Sequence, residues 1–160
     1  MLRVTKLSDY GIVMLTYLAN NRKSTYTARD LAQIVQLPQP VVSKVLKLLS
    51  KAGLLASQRG IKGGYGLARD PRDITVAAII RALEGPIAVT ECSDLNHDCS
   101  LELGCPVRTN WNFINSAIQS ALENITLAEM TRPLSGSPAG VVASAPVGQE
   151  FSVQQLGSKI

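Results

Sequence analysis

Aromatic side chains are scarce in this sequence: two Phe, one Trp and four Tyr make up 4% of its 160 residues. With 46% hydrophobic residues the chain can still fill a core, but that core has to be aliphatic. Histidine occurs once, at His97, and no nucleophile elbow or phosphate-binding loop is present. A hydrolytic or phosphoryl-transfer centre therefore lacks its parts, and Ser43 lies on a lysine-rich segment with no base near it. No apolar run approaches the length of about 18 residues that a membrane-spanning helix needs. The opening MLRVTKLSDYG has neither the apolar region nor the cleavage site of a secretory signal, so a cytoplasmic protein is expected. Cysteine is limited to Cys92, Cys99 and Cys105, an odd number within 14 positions. In a reducing compartment that pattern indicates metal binding or redox chemistry rather than a disulfide framework.

The net charge of +4 conceals an uneven distribution. Residues 1–72 hold 12 Lys and Arg against 3 Asp and Glu, a balance of +9; residues 73–160 hold 4 against 9, a balance of −5. A basic first half is the electrostatic footprint of a duplex binder, and the acidic half is expected to face away from the nucleic acid.

The stretch QLPQPVVSKVLKLLSKAGLLASQRGIKGGYGLA, Gln36 to Ala68, carries the densest information. Leu37-Pro38 forces a break, and Pro40 suits the first turn of a new helix. Val42, Val45, Leu46 and Leu49 form an inner stripe at helical spacing, whereas Lys44, Lys47 and Lys51 share an outer face flanked by Ser43 and Ser50. Gly53 is placed to end the helix in a left-handed residue. A short helix that is apolar inside and basic outside fits a major groove. Gln39, Ser43 and Lys44 would then reach base edges, and Lys47 and Lys51 phosphates. Leu54 to Gln58 and Tyr65 to Ala68 read as strands around a turn with three glycines, from which Arg59 and Lys62 project. An arginine there can enter a narrow minor groove. Tyr65 is expected to pack between this wing and the helix.

Upstream, Leu2 to Asn20 reads as a first helix, with Leu7, Tyr10, Gly11, Met14, Tyr17 and Leu18 on one face and Ile12, Val13 and Leu15 on another. The second face is available to another chain. Ala28 to Gln36 is a second helix with Leu31, Ile34 and Val35 inward, capped by Thr27 with Asp30 three positions on. Thr27 and Arg29 lie where a phosphate could sit; the plainer role for Thr27 is the cap alone. Downstream, Thr75 to Glu84 is a fourth helix, assigned to hold the wing. Pro106 to Asn124 carries the stripe Val107, Trp111, Ile114, Ile118, Ala121, Leu122 and Ile125 and suits a dimer contact, because a small winged domain leaves it little to cover. Thr126 and Glu129 form a second capping box. The expected architecture is mainly α with a small β-hairpin: a winged helix-turn-helix domain over residues 1–131, a cysteine loop at about 87–105, a dimerisation helix at about 106–124, and a disordered Pro-, Gly- and Ser-rich tail over 132–160.

Three thiolates suit zinc or an iron–sulfur cluster but leave either one ligand short. His97, Asp9, Glu91 or no protein group could supply the fourth.

LSDYGIVMLTYLA, the long stretch from Leu31 to Ala68, the three-cysteine loop and the helix running into NITLAEM together resemble the IscR-like, Rrf-type winged-helix regulators, over roughly Met1 to Met130. WNFINSAIQSALENITLAEM looks closest to the branch that controls the Suf iron–sulfur assembly operon. The resemblance implies a homodimer that binds a palindromic promoter operator in double-stranded DNA, represses cluster-assembly genes and carries a cluster on Cys92, Cys99 and Cys105. Where some relatives place a ligand histidine this chain has Arg108. Asp9 matches the acidic residue that others contribute from the partner subunit, with His97 as second choice. A [2Fe–2S] cluster is the first expectation and [4Fe–4S] the alternative. The recognition helix differs from relatives at Pro40, Ser43 and Lys44, so their operator sequence does not carry over. Rival readings are a redox- or nitric-oxide-sensing regulator of other genes, a zinc-stabilised regulator on Cys92, His97, Cys99 and Cys105, an electron carrier, and an adaptor without DNA binding.

Overall fold

The computed structural model describes residues 4–58, 60, 63–90 and 105–132. Arg59, Lys62, Cys92, His97, Cys99 and the 133–160 segment lie outside the described residues, and with them the expectations for the wing tip, most of the cysteine loop and the tail.

Helix α1 spans Lys6–Asn20. It starts later than the sequence pattern suggests because Thr5 takes the N-cap position, its hydroxyl accepting from the N–H groups of Leu7 and Ser8. Met14, Leu15 and Leu18 are buried. Leu15, assigned above to a second face, thus belongs to the subunit's own core; Val13 remains exposed. Helix α2, Ala28–Ile34, opens with the expected capping box. It ends at Val35, followed by Gln36 in the left-handed region at φ +53°. The Leu37 N–H then bonds to the Ala32 carbonyl at 3.1 Å, a Schellman closure made without glycine. The inner face of α2 is centred on Leu31 and Ala32, which leaves Ile34, at the edge away from Ala32, turned to solvent rather than inward.

Helix α3, Gln39–Lys51, has Pro40 in its first turn and seats Val42, Val45, Leu46 and Leu49 completely inside. Gly53, at φ +69°, closes it as expected. Ser50 departs from expectation: its hydroxyl is buried and unpartnered rather than on the outer face.

Strands β1, Leu55–Gln58, and β2, Gly64–Leu67, pair antiparallel with Leu55 opposite Leu67 and Gln58 opposite Gly64. The hairpin is fastened by a bridge between Tyr26 and Tyr65, in which each N–H donates to the other's carbonyl, at 3.1 and 2.7 Å. Gly64 permits this contact, since a Cβ there would stand 2.7 Å from the Tyr26 backbone. Tyr26 also meets Tyr17 of α1 edge-on, with ring centroids 5.3 Å apart. Tyr65 is half-buried against the core, the packing role expected of it.

After a 3-10 turn at Pro71–Asp73, helix α4 covers Val76–Glu84. Its main contacts are α1, α3 and α5, not the wing as expected; the Tyr26 bridge and α3 hold the wing instead. Gly11 lets α4 approach closely, because a Cβ there would lie 2.3 Å from Leu83 Cδ1. Helix α5 runs Arg108–Glu123, and a second capping box at Thr126 and Glu129 opens the short α6, Leu127–Met130. An isolated bridge closes the fold: the Val76 N–H reaches the Ile125 carbonyl at 2.9 Å, and the Leu127 N–H the Ile74 carbonyl at 2.7 Å. Leu127 is thereby drawn fully into the core.

Candidate nucleic-acid interface

The outer face of α3 is built by register. With four apolar residues fixed inside, Gln39, Ser43, Lys44, Lys47 and Lys51 all stand exposed. Gln39, Ser43 and Lys44 occupy the N-terminal half of the helix, and Lys47 and Lys51 follow toward its C-terminal end. Acidic residues are absent from α3, so nothing on the helix itself neutralises this face.

At the start of α2 the Thr27 hydroxyl donates to Asp30 Oδ2 at 2.7 Å and accepts from the Asp30 N–H at 3.2 Å. The Thr27 hydroxyl and then its N–H hold the Asp30 carboxyl below its ordinary value of 3.8. The Thr27 hydroxyl is therefore engaged in capping, and Asp30 adds negative charge where a phosphate was expected. Arg29 beside it is exposed.

Beside the wing, a polar cavity of about 460 Å³ lies between Arg22, Lys23, Ser24 and Thr25 on one side and Ala56, Gln58, Gly66 and Leu67 on the other. Arg22 is tied to Asp70 at 2.8 Å. The Arg72 N–H, and then the Arg22 guanidinium, lower the Asp70 carboxyl.

Of the expected metal ligands, the described residues include Asp9 and Cys105. Cys105 is a free, half-buried thiol just ahead of α5, its carbonyl accepting from the Arg108 N–H at 3.4 Å. Asp9 is exposed near the start of α1. No group of three His, Cys, Asp or Glu gathers among the described residues. Sequence reasoning overlooked two polar anchors that hold the approach to the cysteine loop. Asn115, the one buried residue of α5, accepts from the Val89 N–H at 3.1 Å, and Gln119 donates to the Ile87 carbonyl at 2.8 Å. A polar residue between Trp111 and Ile118 on an otherwise apolar stripe is the signal that could have revealed Asn115.

Residues 4–133 match the Rrf2 family, described as iron-dependent transcriptional regulators. The chain belongs to the Rrf2 family. It is similar to protein rrf2 of Nitratidesulfovibrio vulgaris, 32% identical over 91% of this chain and 97% of that one. Its structure is similar to that of T. potens IscR, with a TM-score of 0.61 and 35% identity over 81% of this chain and 85% of that one. It is also similar to CymR (YrzC), the global cysteine regulator of B. subtilis, with a TM-score of 0.64 and 30% identity over 82% and 97% of the two chains. This Rrf2 member is accordingly a DNA-binding transcriptional regulator with a winged-helix fold, and not an enzyme. Among the described residues no helix is long and apolar enough to cross a membrane.

Proposed function

We propose that this Rrf2 protein is an iron–sulfur-responsive repressor of cluster-assembly genes, binding a palindromic operator as a homodimer. The observation that carries the reading is the position of Cys105. It places one of three loop thiols, half-buried and uncommitted, at the head of α5.

On the DNA side, Gln39, Ser43 and Lys44 read base edges, while Lys47, Lys51 and Arg29 contact phosphate. Arg59 and Lys62 of the wing add minor-groove and backbone contacts. Thr27 serves by fixing the start of α2.

The donor set fits a cluster in its chemistry. Cys92, Cys99 and Cys105 are soft ligands, and the Asp9 carboxylate makes no hydrogen bond or ion pair among the described residues. Asp9 of the second subunit is the proposed fourth ligand, with His97 next. A [2Fe–2S] centre is favoured over [4Fe–4S], and when bound it supplies a group whose presence depends on iron, sulfide and oxidant. The chain's own residues do the rest. Asn115 and Gln119 hold the 87–89 segment on α5, and the exposed stripe Val107, Trp111 and Ile114 joins two subunits.

The test is an anaerobic preparation analysed for iron, sulfide and visible absorption, with titration of operator duplex by holo and apo forms. Cys92→Ala and Cys105→Ala should be colourless and bind the operator with altered affinity. The affinity change expected of a coupling of about 1–3 kcal/mol is roughly 5–150-fold. Zinc in place of iron would turn the reading to a metal-stabilised regulator. Coloured protein with unchanged DNA binding on cluster loss would reject the switch.

A further inference from the structure

We propose that Glu84 is the positioning residue through which the state of the cysteine loop reaches the recognition helix. The inference rests on the regulatory reading above. Glu84 is the last residue of α4, and its carboxylate gathers the beginning of α1. The Thr5 hydroxyl donates to Glu84 Oε1 at 2.8 Å and the Thr5 N–H at 3.4 Å. The hydroxyl of Ser8, a residue with no exposed surface, donates to the same oxygen. A single acceptor atom thus ties the N-cap and first turn of α1 to the end of α4.

Both sides of this joint lead somewhere. Eight positions beyond Glu84 comes Cys92, and the segment between is pinned to α5 through Ile87 and Val89. Cys105, at the other end of the loop, is followed by Pro106, the N-cap Val107 and then α5. A displacement of either loop end is therefore resisted by α5 and passes along the chain to the end of α4. There Leu83 stands against Gly11 of α1, and Gly11 in turn stands near Val45 of α3: a Cβ built on Gly11 would lie 2.3 Å from Leu83 and 3.7 Å from Val45. Val45 belongs to the inner stripe whose register sets the exposed face of α3. Helix α4 packs on both α1 and α3, which leaves it little slack to shift without moving one of them. Glu84 makes α1 move with it, and Asp9 lies one residue past Ser8 on that helix.

The experiment compares wild type, Glu84→Ala, Glu84→Gln, Ser8→Ala and Arg81→Ala, each as holo and apo protein. The probe is a duplex selected from random sequence by the wild-type holo form. Readouts are iron content, the ratio of holo to apo affinity, and amide hydrogen exchange in the first turn of α1. Arg81→Ala removes the ion pair from α4 to Glu123 of α5 without touching α1, and so controls for weakening of α4. In wild type, Glu84→Gln (which keeps the acceptor oxygen) and Arg81→Ala, the affinity ratio should be roughly 5–150-fold. In Glu84→Ala it should fall to within about twofold of unity with iron content intact, and the α1 amides should exchange alike in both forms. Ser8→Ala, which leaves the carboxylate in place, should fall between, and decides the matter if Glu84→Ala does not fold. A wild-type ratio retained in both Glu84→Ala and Ser8→Ala overturns the role of Glu84. A ratio of unity already in the wild type overturns the regulatory reading itself, and this inference with it.

Discussion

Gly64 shows how one missing methyl group decides where the wing stands. Its Cα faces the N, C and O atoms of Tyr26 at a distance that leaves no room for a Cβ. Alanine at this position must push the hairpin off the bridge or force the Tyr26 backbone aside, an overpacking cost of about 1–3 kcal/mol. Gly64→Ala should lower the urea midpoint accordingly and weaken operator binding even where the protein remains folded. A variant with wild-type stability would mean that the Tyr26–Tyr65 bridge is dispensable. Ser50 should behave in the opposite way. Its hydroxyl is buried without a partner, and serine is a poorer helix former than alanine. Ser50→Ala should therefore raise stability by about 0.5–1.5 kcal/mol in the same denaturation measurement. A loss instead would reveal a hydrogen bond to that hydroxyl in solution.

At the scale of elements, both capping boxes are exposed yet electrostatically active. The Thr126 N–H, and then its hydroxyl, lower the Glu129 carboxyl, as Thr27 does for Asp30. Folded-state values below the ordinary ones mean that the stabilisation is complete above the unfolded-state values and is lost as pH falls through the folded ones. Thermal melts should thus be insensitive to these groups near neutrality and should drop once pH passes below about 4. Asp30→Asn keeps an acceptor for Thr27 and should flatten part of that drop; an unchanged acid limb would assign the loss elsewhere. These same boxes were legible in the sequence, as were the inner stripe of α3 and the break at Leu37-Pro38, because each is a pattern within one or two turns. The joints between elements were not. Thr5 and Ser8 meet Glu84 from 79 and 76 positions away, and Tyr26 pairs with Tyr65. No local periodicity encodes such meetings, so the sequence pattern points α4 at the wing although α1, α3 and α5 receive it. Ile34 differs for a related reason: its apolar spacing from Leu31 fits an inner stripe, but α2 packs through Leu31 and Ala32 and leaves Ile34 on the outer side. For the candidate site, the exposed lysine face followed from helical spacing alone, whereas Asn115 and Glu84 acquire meaning only from the segments folded against them.

At the scale of the whole molecule, α5 poses the remaining problem. Val107, Trp111 and Ile114 lie at i, i+4 and i+7 and are 45%, 37% and 40% exposed, whereas Asn115 alone is buried along the helix. An apolar stripe on an outer helix is what a second copy of the chain would cover. Such a union would also couple two basic α3 faces to one duplex, so that the second half-site is engaged at high effective concentration. Ile114→Glu places a charge in the middle of that stripe at a position already partly wet in the single subunit, so the fold itself should persist. Sedimentation equilibrium should then report a dimer for the wild type and a monomer for the variant. Affinity for a palindromic duplex should fall about 10²–10⁴-fold, while affinity for a single half-site stays the same. The dependence of binding on salt should weaken as well, since the phosphates neutralised per complex are halved and the logarithmic slope scales with their number. If Ile114→Glu remains dimeric with unaltered palindrome affinity, two-site binding must be organised through another face, of which exposed Val13 on α1 is the nearest candidate in chemistry.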